Sequence, residues 1–300
     1  MAKKVLITGS TGFLGSACWD HLQTQNYELF GMSRKDCDIR DEQSIIAFLG
    51  KQRPDIIIHL AGQNSVESSI ANPQDTFDVN VNGTISFLHS LKEIKPLFVF
   101  MSTAAVYQAS DSPITENGAL NPKSPYAISK YSAELITRNL CERYSIPFII
   151  VRGFKMIGPM QRPTAFDSKS AQQLAQCELS GEQCTISIQN PDTVVDCLDS
   201  RDAARALHEL IEKGKHGETY NLCSGKGYRL IDRIDLLNGL TNNLGRIAIE
   251  PDGYSPSSFV GDHSKLTAHT GWQPRYDVLN DTLPILLNYW RSELKLKAKS

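Results

Sequence analysis

The chain has 300 residues, 31 Lys and Arg against 33 Asp and Glu, a formal charge of −2 and 41% hydrophobic residues. That composition is ordinary for a globular protein and excludes disordered, collagenous and coiled-coil classes; without a dense basic run it offers no electrostatic footprint for nucleic acid. Apolar runs such as Ile146 to Val151 are far short of a membrane helix, and only Val5 to Ile7 follow the opening lysines, so neither a membrane span nor a signal peptide is expected.

Short β-branched runs alternate with amphipathic stretches through the first half, which predicts βαβ units around a parallel sheet. Strands are predicted at Lys4 to Thr8, Glu28 to Met32, Ile56 to Leu60, Phe98 to Ser102 and Phe148 to Arg152. Helices are predicted at Phe13 to Gln23, Glu42 to Lys51, Gln74 to Leu91 and Pro125 to Tyr144, with Asp41 capping the second and Pro73 opening the third. After Arg152 the pattern changes: Gly158, Pro159 and Pro163 precede a helix near Ala165 to Leu179 and mark a second lobe. A strand at Val194 to Leu198, a helix at Arg201 to Lys213 and a strand at Glu218 to Leu222 read as a return to the sheet, and GYSPSS (253–258) as a flexible break before a closing helix near Leu279 to Leu294. The fold expected is α/β, a Rossmann-type doubly wound parallel sheet with a smaller α/β C-terminal substrate lobe. Residues 1–153 with about 190–228 would form the dinucleotide-binding domain, and about 154–189 with 229–300 the substrate lobe.

Three features carry chemistry. Gly9, Gly12 and Gly15 lie between the first strand and helix, where a tight turn lets backbone N–H groups approach a pyrophosphate at the helix N-terminus. The second strand ends Met32, Ser33, Arg34, Lys35: a hydroxyl followed by two cations, with no carboxylate to repel a 2′-phosphate, favours NADP(H) while leaving NAD(H) possible. Tyr126 and Lys130, four apart at a helix start, share one face; a neighbouring ammonium and an oxidised nicotinamide would lower the tyrosine pKa towards its working range. His59, Trp272 and Trp290 read as core side chains. The seven cysteines, an odd number without ligand spacing, read as buried thiols in a reducing, cytoplasmic setting, with no metal site.

From TGSTGFLG through DIRD, HLAG, NVNGT, MSTAAVY and YAISK to VRGFKMIGP, the chain resembles an extended short-chain dehydrogenase/reductase across essentially its whole length. The resemblance implies that Thr103 bonds the substrate oxygen, Tyr126 is the acid-base residue and Lys130 binds the nicotinamide ribose. It places Gly9, Thr11, Gly12, Phe13, Leu14, Gly15, Ser33, Arg34, Leu60, Ala61, Gly62, Gln63 and Gly153 along the cofactor, Asp38 and Ile39 beside the adenine, and Asn80 as a brace for the central helix. Gln63, Ser65, Thr103, Tyr126, Lys155 and Arg162 would meet the substrate. GETYNLCSGKGYRL (217–230) and VGDHSKLTAHTGWQP (260–274) resemble reductases of GDP-4-keto-6-deoxymannose, and a homodimer built through a four-helix bundle is implied. Related dehydratases carry acidic residues where this chain has Ala104 and Ala105, and the double epimerase-reductases carry Cys and His where it has Ala105 and Met160. Arginines that commonly bind a sugar-nucleotide diphosphate fall on Val194 or Val195 and within GYSPSSF, leaving Lys155 and Arg162 as candidate replacements. The expected activity is NADPH-dependent reduction of a 4-keto nucleotide sugar. The alternatives are an NAD-dependent 4-epimerase and a redox-silent NADP(H) sensor.

Overall fold

Apolar β-branched runs form strands and amphipathic runs form helices in the computed structural model, which describes residues 2–250 and 258–297. The first half runs Lys3–Thr8 (β1), Phe13–Leu22 (α1), Tyr27–Met32 (β2), Glu42–Gln52 (α2), Ile56–His59 (β3), Val66–Ala71 (α3), Pro73–Phe77 (α4) and Gly83–Ser90 (α5). Then come Leu97–Thr103 (β4), Pro125–Tyr144 (α6), Phe148–Gly153 (β5), Lys155–Ile157 (β6), Phe166–Ser180 (α7), Cys184–Gln189 (β7) and Val194–Asp199 (β8). The chain continues through Ser200–Lys213 (α8), Thr219–Leu222 (β9), Gly227–Arg229 (β10), Leu230–Gly239 (α9), Gly245–Glu250 (β11), Ser258–Phe259 (β12), Ser264–Thr270 (α10) and Leu283–Lys297 (α11).

Six strands make one parallel sheet in the order β2-β1-β3-β4-β5-β9. Its two faces are covered separately. On one, Val5, Ile7, Val151 and Tyr220 pack against Cys18 and Leu22 of α1 and Ala203, Leu207 and Leu210 of α8. On the other, Leu6, Ile57, Phe98 and Ile150 pack against Ile45 and Leu49 of α2, Phe87 and Leu88 of α5 and Ala133 and Cys141 of α6. A parallel sheet buried on both faces needs strands apolar throughout, which is why β5 is buried at every residue. A separate core joins Leu174 of α7, Ile186 of β7, Leu237 of α9 and Leu286 and Trp290 of α11. Since β1 has β2 on one side and β3 on the other, chain connections diverge there, and ligands in such sheets bind outside the carboxyl ends of the strands at that point.

The structure departs from the sequence expectations in two of these elements. The predicted Gln74 to Leu91 helix is interrupted by a π-helical turn at Asp78–Asn82, where buried Asn80 turns its amide to Gln63 and Ser129. The strand β8 does not return to the main sheet: it pairs β10, β12 and β6 in a second sheet, because Val194 to Asp196 register with β10 and Cys197 to Asp199 with β6. Helix α8 and strand β9 do return. The expected break at 253–258 lies, except for Ser258, outside the described residues. All seven cysteines are free, six of them buried, and Trp272 and Trp290 are core residues. No described helix is long and apolar enough to cross a membrane.

Candidate active site

A cleft of about 1060 Å³ lies along the carboxyl ends of β1 to β5. One wall is the turn after β1. Gly9 adopts φ 67°, a left-handed conformation that favours glycine, and a Cβ on Gly15 would collide with the Gly9 carbonyl and lie 2.8 Å from Ser10 Cα. Gly12 caps α1 without a side-chain hydrogen bond, so the first N–H groups of the helix, from Phe13, Leu14 and Gly15, have no capping side chain where these residues line the cleft. A side-chain-free cradle ending in an uncapped helix fits the pyrophosphate of a dinucleotide. Thr8 holds this turn against the next one: its Oγ1 accepts from the N–H groups of Leu60 and Ala61 at 3.1 Å each and shares a hydrogen bond of 3.1 Å with His59 Nδ1. His59 is a core residue among Phe87, Phe98 and Phe100, held neutral because burial pushes its pKa down to about 3.

The floor carries the hydroxyl, the phenol and the ammonium. Ser124 caps α6 by accepting from Ala127 N at 3.1 Å and Pro125 occupies the first turn, so Tyr126 sits at the helix start and Lys130 one turn on. Thr103 ends β4 and lines the cleft with Tyr126, its hydroxyl near enough to act on the phenol. Burial pushes the phenol above its ordinary value, while the Thr103 hydroxyl and the Arg162 charge pull it down. The expected lowering by Lys130 is absent: desolvation dominates, and the ammonium lies over the Phe100 ring, 4.4 Å from its centroid. Burial also holds Lys130 down at about 8, with the Glu134 carboxylate opposing. Behind this face, Ser102 donates to Glu134, Arg152 Nη2 meets Glu134 at 2.8 Å, and Arg152 Nη1 meets the Tyr107 hydroxyl at 3.0 Å. Tyr107 in turn donates to Asn221 Oδ1 at 2.7 Å, tying α6 to β5 and β9.

At the end of β2, Ser33 and Arg34 line the cleft, whereas Lys35 is exposed and lies outside it. The expectation that no carboxylate stands here is corrected: Asp36 Oδ2 accepts from Ser33 N at 2.8 Å and Ser33 Oγ at 2.6 Å, the chain turning back through Asp36 N to Ser33 O. Asp38 and Ile39 also line the cleft, Asp38 being paired with Arg40, which reaches on to Asp75. Leu60, Ala61, Gly62, Gln63 and Gly153 line the middle. Asn80 does not line the cleft but stands behind it, donating to Gln63 O and Ser129 Oγ and so bracing α6.

The opposite end is built from residues 153–169. Lys155 lines the cleft, yet its charge is engaged: Nζ lies 2.8 Å from Asp167 Oδ2, and Arg233 meets Asp167 Oδ1 at 2.7 Å, Asp167 and Arg233 being buried and Lys155 partly exposed. A candidate diphosphate cation by sequence, Lys155 is thus already paired with a carboxylate. Ser65, expected to meet the substrate, caps α3 outside the cleft lining, its Oγ accepting from Ser68 N and donating to Glu67. Gln63 folds its amide onto the Ser65 backbone. Arg162 remains partly exposed, 3.3 Å from Asn64 O and 3.7 Å from Glu67. Lys169, Phe166 and Met101 line the cleft without having been anticipated. Lys169 was legible only as a cation in the first turns of the helix after the Gly158 to Pro163 break.

A model of the NAD dependent epimerase/dehydratase family matches residues 5–223. The chain is 28% identical over 309 residues to GDP-6-deoxy-D-mannose reductase of Pseudomonas aeruginosa, covering 98% of this chain and 99% of that one. It is 26% identical over 332 residues to dTDP-glucose 4,6-dehydratase of Escherichia coli, covering 91% and 89%. The solved structure of RMD from Pseudomonas aeruginosa complexed with NADPH superposes with a TM-score of 0.90 at 26% identity, covering 97% of this chain and 100% of that one. With its glycine cradle and most of its length matched, the chain belongs to the NAD dependent epimerase/dehydratase family and is an NAD(P)-dependent oxidoreductase of the extended short-chain dehydrogenase/reductase type.

Proposed function

We propose that this protein is an NADPH-dependent reductase of a 4-keto-6-deoxy nucleotide sugar. The observation that carries the reading is a single acid-base pair, Thr103 with Tyr126, beside alanines at 104 and 105. The carboxylates lining the cleft, Asp38, Glu67 and Asp75, are engaged by Arg40, Ser65 or Arg162, which leaves no second group poised to eliminate water. Similarity to a GDP-6-deoxy-D-mannose reductase supports the substrate class, and the likeness to a structure holding NADPH supports the cofactor. The cofactor lies in the half built by 1–153, the sugar nucleotide against the half around α7.

With the pyrophosphate of the dinucleotide held at the cradle, its reduced nicotinamide would supply the two-electron reducing equivalent. Tyr126 donates its phenolic proton to the substrate oxygen, and a phenol raised by burial stays protonated for that role at neutral pH. Thr103 orients the same oxygen. Lys130 holds the ribose, and Arg162 and Lys169 supply positive charge for the diphosphate. Two copies pair through the outer face of α6, where Ile128 and Leu135 are exposed. The seven free cysteines support a reducing, cytoplasmic setting.

The test is to mix the protein with NADPH and the 4-keto-6-deoxy sugars of GDP, dTDP and UDP, following NADPH oxidation and the mass gain of the product. Oxidation with the GDP compound is the expected result. No turnover with any of the three removes the assignment.

A second expectation follows from Lys130, whose ammonium titrates at about 8 in the fold. NADPH affinity falls as pH rises through that value, because the charged form is the one that meets the ribose. Between about 8 and the ordinary 10.5 the folded chain binds fewer protons at this group than the unfolded chain. The cofactor-free fold therefore gains stability from Lys130 as pH rises through that window. NADPH titrations from acid to alkaline pH check the first statement: a flat wild-type profile, or one unchanged in Lys130→Met, takes the ribose role away from Lys130.

A further inference from the structure

We infer that Phe100 is a positioning residue for Lys130: the face of its ring holds the buried ammonium, in its charged form, at the cleft. The consequence for NADPH rests on the ribose role proposed for Lys130 above, whereas the contact itself does not. Lys130 Nζ stands 4.4 Å from the Phe100 centroid and makes no hydrogen bond or ion pair among the described residues. The Lys130 residue is only 8% exposed, and Phe100 1%. A buried ammonium without a hydrogen-bonded partner gives up its proton more readily, which is the direction in which burial pushes Lys130. The negative face of an aromatic ring opposes that loss, and does so most strongly where water is excluded.

The sheet fixes the ring. Phe98 and Phe100 alternate onto the side of β4 covered by α5 and α6, and β3 sets His59 in register with Phe100, the two rings stacked with centroids 6.1 Å apart. The titratable groups around the ammonium do not replace the ring. On α6, Tyr126 lies one turn before Lys130 and Glu134 one turn after, and the Glu134 carboxylate is already shared by Arg152 of β5 and Ser102 of β4. On β3, His59 is held neutral by burial and so adds no charge to repel the ammonium. An aliphatic side chain at position 100 would leave the Glu134 attraction alone against desolvation.

The experiment titrates the Lys130 amine directly, by NMR of cofactor-free enzyme carrying lysine labelled with carbon-13 at Cε, the signal being assigned by its loss in Lys130→Met. Position 100 then receives, site-specifically, a monofluorinated and next a trifluorinated phenylalanine, which keep the ring close to its native shape while draining negative charge from its face. The Lys130 titration should move to lower pH in step with fluorination, by about half a pH unit or more in the trifluorinated protein, and the pH above which NADPH affinity falls should move with it. A ring that only fills space predicts no such ordering. A titration that is unchanged, raised, or shifted without regard to the number of fluorines overturns the inference. If the amine titration follows fluorination while NADPH binding does not, the Phe100 contact stands and the ribose role of Lys130 falls.

Discussion

Replacing Tyr126 by Phe should lower turnover by roughly 10²–10⁴ while NADPH affinity stays within about twofold of wild type. The ring remains and only the transferable proton is lost, so the packing of the first turn of α6, fixed by the Ser124 cap and Pro125, is untouched. No neighbour can take over. Thr103 is a hydroxyl with a much higher pKa, Lys130 lies over Phe100, and the carboxylates lining the cleft are held by Arg40, Ser65 or Arg162. Single-turnover reduction with saturating NADPH isolates the chemical step from product release. Near wild-type rates in that experiment would show that water or another side chain delivers the proton.

Glu134→Ala should destabilise the fold by about 3–5 kcal/mol, since it strands a buried guanidinium. Arg152 is 7% exposed in its side chain and Glu134 1%; Ser102 also donates to Glu134, and Arg152 donates to the Tyr107 hydroxyl. Without Glu134, Arg152 keeps only the Tyr107 hydroxyl and the Glu116 carbonyl. The carboxylate also opposes the desolvation of Lys130, one helical turn away, so NADPH affinity should drop as well. Urea unfolding gives the stability change. Removing both partners, as Glu134→Leu with Arg152→Met, should cost less than the single change, because no charge is then left unpaired. A single variant within about 1 kcal/mol of wild type would mean that water reaches Arg152 and that the network is not closed.

The glycine turn, the five strands of the first half and the Pro125–Tyr144 helix were legible in the sequence because each depends on neighbours within one or two turns. Local spacing places Tyr126 and Lys130 on one helix face and Gly9 beside Gly15 whatever the rest of the chain does. The partners of the charged side chains were not legible, because they come from far along the chain. Nothing in the local sequence tells that Lys155 meets Asp167 beside Arg233, or that the Lys130 ammonium lies over the Phe100 ring. Strand β8 has the composition of a core strand in either sheet, and only its register with β6 and β10 decides which. The interruption at Asp78–Asn82 follows from Asn80 reaching Gln63 and Ser129. Periodicity determined which residues would be buried and which segments would be helix or strand; the tertiary structure alone decided which charges neutralise one another, because Coulomb and desolvation energies depend on distances in space rather than along the chain.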